Sequence, residues 1–205
     1  MESPTLTVIG GCNGAGKSSF SKAITSNKSP SFDYDKVFLK EYKSLIDNDI
    51  RDVMAHNLSR NILEKAIDTA IVKNTDFAYE TNFNSSPLFW PNKFKASGYK
   101  TRLVYFCLNS INEAKIRVQI RVENGGHFVP QNEIEERYFL GFNNLNEFWS
   151  FFDEIYLFDT STYKEEPKFL FSTLNGKIDQ FEYFPDYLKI LIPTIWKQLS
   201  EIHKP

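Results

Sequence analysis

Gly11, Gly14, Gly16, Lys17 and Ser18 stand at the spacing G-x-x-x-x-G-K-[ST], with Cys12, Asn13 and Ala15 between them. Residues of these types at this spacing suit a polyphosphate. Glycines take backbone conformations that a side chain forbids, so successive N–H groups can turn inward toward an anion. Lys17 then reaches the β- and γ-phosphates and Ser18 offers a hydroxyl to Mg²⁺. Ser19 follows in the first turn of a helix whose dipole adds to the attraction. The flanks have the composition this loop needs. Residues 5–10 form a β-branched run suited to a buried strand, and Phe20, Ala23 and Ile24 recur at helical spacing. Strand, loop and helix together predict a nucleoside triphosphate site.

Phosphoryl transfer to a hydroxyl also requires a carboxylate to take the proton and charges to fix the acceptor. Asp33, Asp35, Glu80 and Asp159 each follow an apolar or aromatic run that reads as a strand, which places them on the same rim as Lys17. Asp35 is the candidate base, against a plainer reading as a turn or helix-capping carboxylate. Glu80, with Thr81, suits substrate binding or, as the acid ending a strand, support of magnesium through water. Arg117 and Arg121 lie four apart on one helical pattern, and Arg137 lies on the next. Joined by a loop with Gly125 and Gly126, they read as a lid over residues 117–137, or as two solvated helices whose arginines pair with Glu113, Glu133 or Glu135. His127 sits in that loop. Cys12 either carries a thiol acidified by the helix terminus or fills space.

The elements that position these groups alternate between strand and helix. A brief strand is predicted over 31–35, a helix over 36–45 and a long amphipathic helix from Arg51 to about 73. A strand over 76–81 follows, then a helix capped by Ser86 with Pro87 in its first turn and stopped near Gly98. Residues 101–108 are the clearest buried strand, and Ser110 with Glu113 forms a capping box. A helix over 131–150 and a strand over 154–158 complete the alternation. Asn175-Gly176 predicts a primed hairpin turn between 168–174 and 177–183, bordering the adenine or a dimer contact. A final helix runs from Pro185 to about 202, interrupted at Pro193. The pattern implies an α/β fold: one domain over 1–205 with a mostly parallel sheet flanked by helices, a lid, and a C-terminal hairpin plus helix at 168–202.

Composition bounds the class. The 205 residues include 19 Phe and 10 Tyr, enough aromatic material for one substantial core. A net charge of −2 gives no basic field for nucleic acid. Cys12 and Cys107 offer neither metal spacing nor a disulfide framework, and no apolar run reaches the length of a membrane span. The start, Met1 to Pro4, lacks the basic and apolar regions of a secretory leader. A cytoplasmic protein is expected.

Taken together, the loop from Gly11 to Ser18, the acidic turn ending at Asp35, Glu80-Thr81, the Gly125-Gly126-His127-x-Val129-Pro130 segment and Glu136-Arg137-Tyr138 resemble the zeta-toxin-like P-loop kinases. The resemblance covers about the first 160 residues. It implies a P-loop NTPase fold and an ATP- and Mg²⁺-dependent kinase. Its acceptor would be a nucleotide sugar such as UDP-N-acetylglucosamine, and a protein antitoxin would be a partner. By the same resemblance Lys17 and Ser18 hold phosphates and metal, and Asp35 is the base. Glu80, Thr81 and His127 contact the sugar nucleotide, while Arg121 and Arg137 clamp the transferring phosphate. Cys12 departs from the proline common at its position, and Asp33-Tyr34-Asp35 from the usual asparagine-x-aspartate. Two other functions fit the same loop: a polynucleotide or RNA-end kinase, which needs a basic channel, and an ATPase module that drives a protein partner.

Overall fold

The computed structural model describes residues 3–25, 30–126 and 128–202. Its centre is a six-stranded sheet in the order β2-β1-β3-β4-β5-β6. The strands are β1 (Thr5–Gly10), β2 (Phe77–Thr81), β3 (Lys100–Cys107), β4 (Glu154–Asp159), β5 (Lys168–Leu174) and β6 (Lys177–Phe181). The first four run parallel, and the terminal hairpin adds β5 and β6 antiparallel to β4. Gly10 pairs with both Thr81 and Tyr105, and Cys107 with Asp159, so the carboxyl ends of the parallel strands share one rim. In open sheets of this kind the ligand lies beyond that rim.

The helices are α1 (Lys17–Ile24), α2 (Tyr34–Ser44), α3 (Arg51–Lys73), α4 (Phe89–Ala96), α5 (Ile111–Glu123), α6 (Gln131–Phe148), α7 (Asp186–Leu191) and α8 (Pro193–Ile202). They follow from local chemistry. At the start of α5 the Ser110 hydroxyl accepts from the Glu113 N–H at 3.1 Å. Only half of the expected capping box forms, because the Glu113 carboxylate turns to Arg117 instead, at 2.7 Å. The hairpin turn carries positive φ at both Asn175 (50°) and Gly176 (73°), as a primed turn requires. Pro193, which has no N–H to donate, separates α7 from α8.

The core is aromatic and continuous across the sheet. Leu103 to Cys107 are five consecutive buried residues, the signature of a strand covered on both faces. Tyr105 meets Phe83 edge-on at 6.0 Å and Phe142 of α6 at 5.6 Å, tying the end of β2 to β3 and α6.

Two expected elements differ. Residues 31–35 form a single bridge, Phe32 to Tyr79, on the outer edge of β2. The reason is Asp33, whose carboxylate accepts from the Lys36 N–H at 3.0 Å and starts α2 at once. Asp35 therefore sits in a helical first turn. Ser86 does not cap α4: its φ of 42° is left-handed, and the helix begins at Phe89 with Leu88 before it. Pro91 is tolerated there because the N–H groups of a first helical turn have no partner within the helix.

Candidate functional site

The loop from Gly11 to Gly16 joins β1 to α1 at the strand rim. Gly14 and Gly16 take φ values of 82° and 85°, which L side chains rarely adopt. A Cβ on Gly14 would lie 3.0 Å from the Ala114 carbonyl and 3.2 Å from the Arg117 Cβ, so α5 is seated against the loop. Gly11, Cys12, Asn13 and Ala15 form the buried underside, while Gly14, Gly16, Lys17, Ser18 and Ser19 line a cavity of about 1230 Å³.

Lys17 lies across the loop. Its ammonium donates to the Gly11 carbonyl at 2.7 Å, the Cys12 carbonyl at 3.0 Å and the Asn82 Oδ1 at 2.9 Å. Burial pulls its pKa below the usual lysine value, against the opposing charges of Asp35 and Glu80, and Arg121 adds to the lowering. A cation held in low dielectric with three oxygen acceptors is placed to meet a more strongly charged anion. Cys12 behaves oppositely to an activated thiol. Burial pushes it up to about 11, with Lys17 and Arg117 resisting, so it serves as packing.

Glu80 faces the loop. The Ser18 hydroxyl donates to its Oε2 at 2.6 Å and the Ser31 hydroxyl to its Oε1 at 3.1 Å. A hydroxyl and a carboxylate side by side are hard oxygen donors, the chemistry that suits Mg²⁺. Among the described residues no cluster of three His, Cys, Asp or Glu exists, so the other ligands of such an ion would be phosphate and water. Thr81 also lines the cavity, but its hydroxyl accepts from the Phe83 N–H at 3.0 Å and fixes the turn that leaves β2.

Asp35 and Arg121 meet across the cavity. Arg121 Nη1 lies 3.8 Å from Asp35 Oδ2, joining α5 to α2. Two glycines set the course of the chain after Arg121. Gly126 donates its N–H to the Arg121 carbonyl at 2.9 Å, and Gly125, at φ 82°, donates to Val122 at 2.9 Å. This closes α5 in a left-handed cap. A Cβ on Gly126 would lie 2.6 Å from the Arg121 Cγ.

The other two arginines divide. Arg117, its side chain only 9% exposed, binds Glu113 and donates to the carbonyls of Gly14 (3.5 Å), Thr160 (2.9 Å) and Ser161 (3.0 Å). It staples α5 to the phosphate loop and to the segment after β4. Arg137 pairs with Glu133 on its own helix and is not among the described residues that line the cavity. The structure therefore brings Lys17, Ser18, Asp35, Glu80, Thr81 and Arg121 together and leaves Arg137 aside. His127 lies outside the described residues. The span 117–137 is the rear of α5, its cap and the start of α6, with Val129 buried beneath.

Several lining residues carry weak sequence signals. Asn82 sits one place past the Glu80-Thr81 pair, where a strand-end polar residue could have been extended by one. Thr160 and residues 162–166, after β4, also line the cavity. Arg60, Phe89 and Trp90 line it too, from helices whose patterning concerns the core.

The family model for zeta toxin matches residues 1–166. No curated protein matches the sequence. Among solved structures, a chain of the PezAT chromosomal toxin–antitoxin system of Streptococcus pneumoniae is similar with a TM-score of 0.61 at 12% identity, over 100% of this chain and 89% of that one. A chain of the AvrRxo1-ORF1:-ORF2 complex with ATP gives 0.64 at 14% identity, over 86% of this chain and 60% of that one. A chain of the Pnkp1/Rnl/Hen1 RNA repair complex gives 0.58 at 18%, over 72% of this chain and 47% of that one. The chain thus spans less than half of the RNA repair protein. These likenesses establish the P-loop fold. No described helix is long and apolar enough to cross a membrane.

Proposed function

From the premise that the chain belongs to the zeta toxin family and is a P-loop kinase, we propose that it transfers the γ-phosphoryl group of ATP to a hydroxyl of a nucleotide sugar, UDP-N-acetylglucosamine being the model acceptor. The observation that carries this reading is the Asp35–Arg121 pair, 3.8 Å apart, in the cavity that Lys17, Ser18 and Glu80 also line. A carboxylate and a guanidinium opposite a phosphate loop are the two groups that phosphoryl transfer needs beyond the loop itself.

Loop N–H groups and the Lys17 ammonium hold the β- and γ-phosphates. The acceptor hydroxyl gives its proton to Asp35 while its oxygen forms a bond to the γ-phosphorus, and the bond to the β-bridging oxygen breaks to release ADP. Arg121 exchanges its contact with Asp35 for the oxygens of the transferring group, which frees the carboxylate as the proton arrives. Asn82 holds the Lys17 side chain on the acceptor side. Ser18 and Glu80 would hold Mg²⁺, directly or through water, and the ion when bound would neutralise charge on the β- and γ-oxygens. Thr81 positions the turn beside the acceptor. A protein antitoxin as partner belongs to the same reading, supported by the likeness to a PezAT chain.

Incubation with ATP, Mg²⁺ and a metabolite extract tests the proposal, with the Lys17→Ala protein as blank and mass spectrometry as readout. A UDP-sugar gaining one phosphate is the expected result. ADP release with no phosphorylated metabolite would overturn it.

A further inference from the structure

Beyond β2 the chain makes a costly turn. Phe83, fully buried, takes a φ of 58°, and Ser86 a φ of 42°. Non-glycine residues hold such conformations only where the surroundings over-determine them. At Phe83 the bracing is visible. Asn144 of α6 donates to the Phe83 carbonyl at 2.8 Å and the Asn84 carbonyl at 3.1 Å, and the Thr81 hydroxyl holds the Phe83 N–H. What this braced turn delivers is an aromatic ledge. Phe89, 64% exposed, and Trp90 both line the cavity, with ring centroids 4.6 Å apart at 77°. Arg60 of α3 lines the same cavity. Because β2 lies on one side of β1 and β4 on the other, the ledge is opposite the segment after β4.

We propose that the Phe89–Trp90 ledge is a subsite for the planar base of the acceptor, Phe89 giving the stacking face, Trp90 backing it edge-on and Arg60 meeting the phosphate that a nucleotide carries. The inference rests on the kinase reading above and adds which part of the acceptor the enzyme grips. An exposed phenyl face gains from covering by a flat ring, and a cation in the same cavity favours a ring that bears phosphate. A base with an adjoining phosphate occurs in a free nucleotide sugar and at the end of an RNA. With a net charge of −2 the chain lacks the field that would favour the polymer, so the free nucleotide is the assigned source.

The test is a titration of UDP into the protein saturated with Mg²⁺ and a non-hydrolysable ATP analogue, so that the phosphate loop is filled. Tryptophan emission is the readout, and loss of the signal in Trp90→Phe assigns it. Phe89→Ala is expected to weaken UDP binding about tenfold, and Phe89→Tyr to restore it, with affinity for the ATP analogue unchanged in both. Phe89 is exposed, so its removal leaves the core intact. UDP affinity within twofold of the parent in Phe89→Ala would overturn the ledge. So would phosphorylation of N-acetylglucosamine 1-phosphate as fast as of UDP-N-acetylglucosamine, a result that leaves the kinase reading standing. Phe89-dependent binding of UDP with no transfer to any acceptor would sustain the ledge and overturn the kinase reading instead. Tighter binding of a 5′-hydroxyl oligoribonucleotide than of UDP would overturn the free-nucleotide assignment.

Discussion

On the β4 side of the phosphate loop, one arginine is spent almost entirely on the protein's own backbone. Arg117 binds Glu113 and three carbonyls, and the Thr160 hydroxyl lies 3.1 Å from the Ala15 carbonyl and 2.9 Å from that of Cys107. On the β2 side, the comparable groups face the cavity. Asp35 and Arg121 meet in a half-exposed 3.8 Å contact, and Phe89 is largely exposed. On the nucleotide side, Arg117 and the Thr160 hydroxyl are thus already held by the protein's own carbonyls. The acceptor side has an exposed ring and a carboxylate–guanidinium pair lining the cavity. Preorganised dipoles around a phosphate cost no reorganisation during reaction, whereas the acceptor side has to exchange partners.

The difference can be broken at four places, in order of size. Lys17→Ala should reduce phosphoryl transfer by about 10²–10³-fold or more, in a steady-state assay, because Lys17 is the ammonium of the phosphate loop, whereas Lys164, which also lines the cavity, belongs to the segment after β4. Arg117→Ala should cost about 3 kcal/mol in denaturant unfolding by leaving Glu113 and buried carbonyls without their cation. A loss below about 0.5 kcal/mol would mean the cradle is not stapled there. Cys12 gives a pH signature. Its folded pKa, about 11, is above the ordinary 9.0, so the stability tied to it is intact below pH 9.0 and lost as pH rises toward 11. The slope is up to about 1.4 kcal/mol per pH unit, and Cys12→Ala should flatten the fall relative to the parent protein. Arg137→Ala should change both transfer and stability by less than about 0.5 kcal/mol, since its pair with Glu133 is a half-exposed one within a single helix, four residues apart. A hundredfold loss of transfer would return Arg137 to the site.

The same division explains what could be read from the sequence. The cradle was legible because a tight turn around an anion demands glycines at fixed positions, and because buried parallel strands such as 103–107 are continuous apolar runs. Asp35, Glu80 and Arg121 were legible as candidates from their positions after strands and before glycines. The pairing of Asp35 with Arg121 was not, since α2 and α5 are far apart in the chain and meet only through the sheet order. Asp33 shows how one capping side chain overrides a strand pattern. The β2 turn differs from the Ser86-Pro87 cap that local pattern predicts, because Asn144, about sixty residues away, holds the carbonyls of Phe83 and Asn84. Arg117 and Arg137 have equal sequence credentials, each four residues after a glutamate. Only burial separates a staple from a half-exposed pair.

The central claim is that Asp35 belongs to the acceptor side and takes the proton. The most direct measurement is the rate of γ-phosphoryl transfer by Asp35→Asn beside its affinity for ATP, taken on the same preparation. The predicted result is a fall in transfer of about 10²–10⁴-fold with ATP affinity within about twofold of the parent protein. Transfer at the parent rate, or a matching loss of ATP affinity, would contradict it.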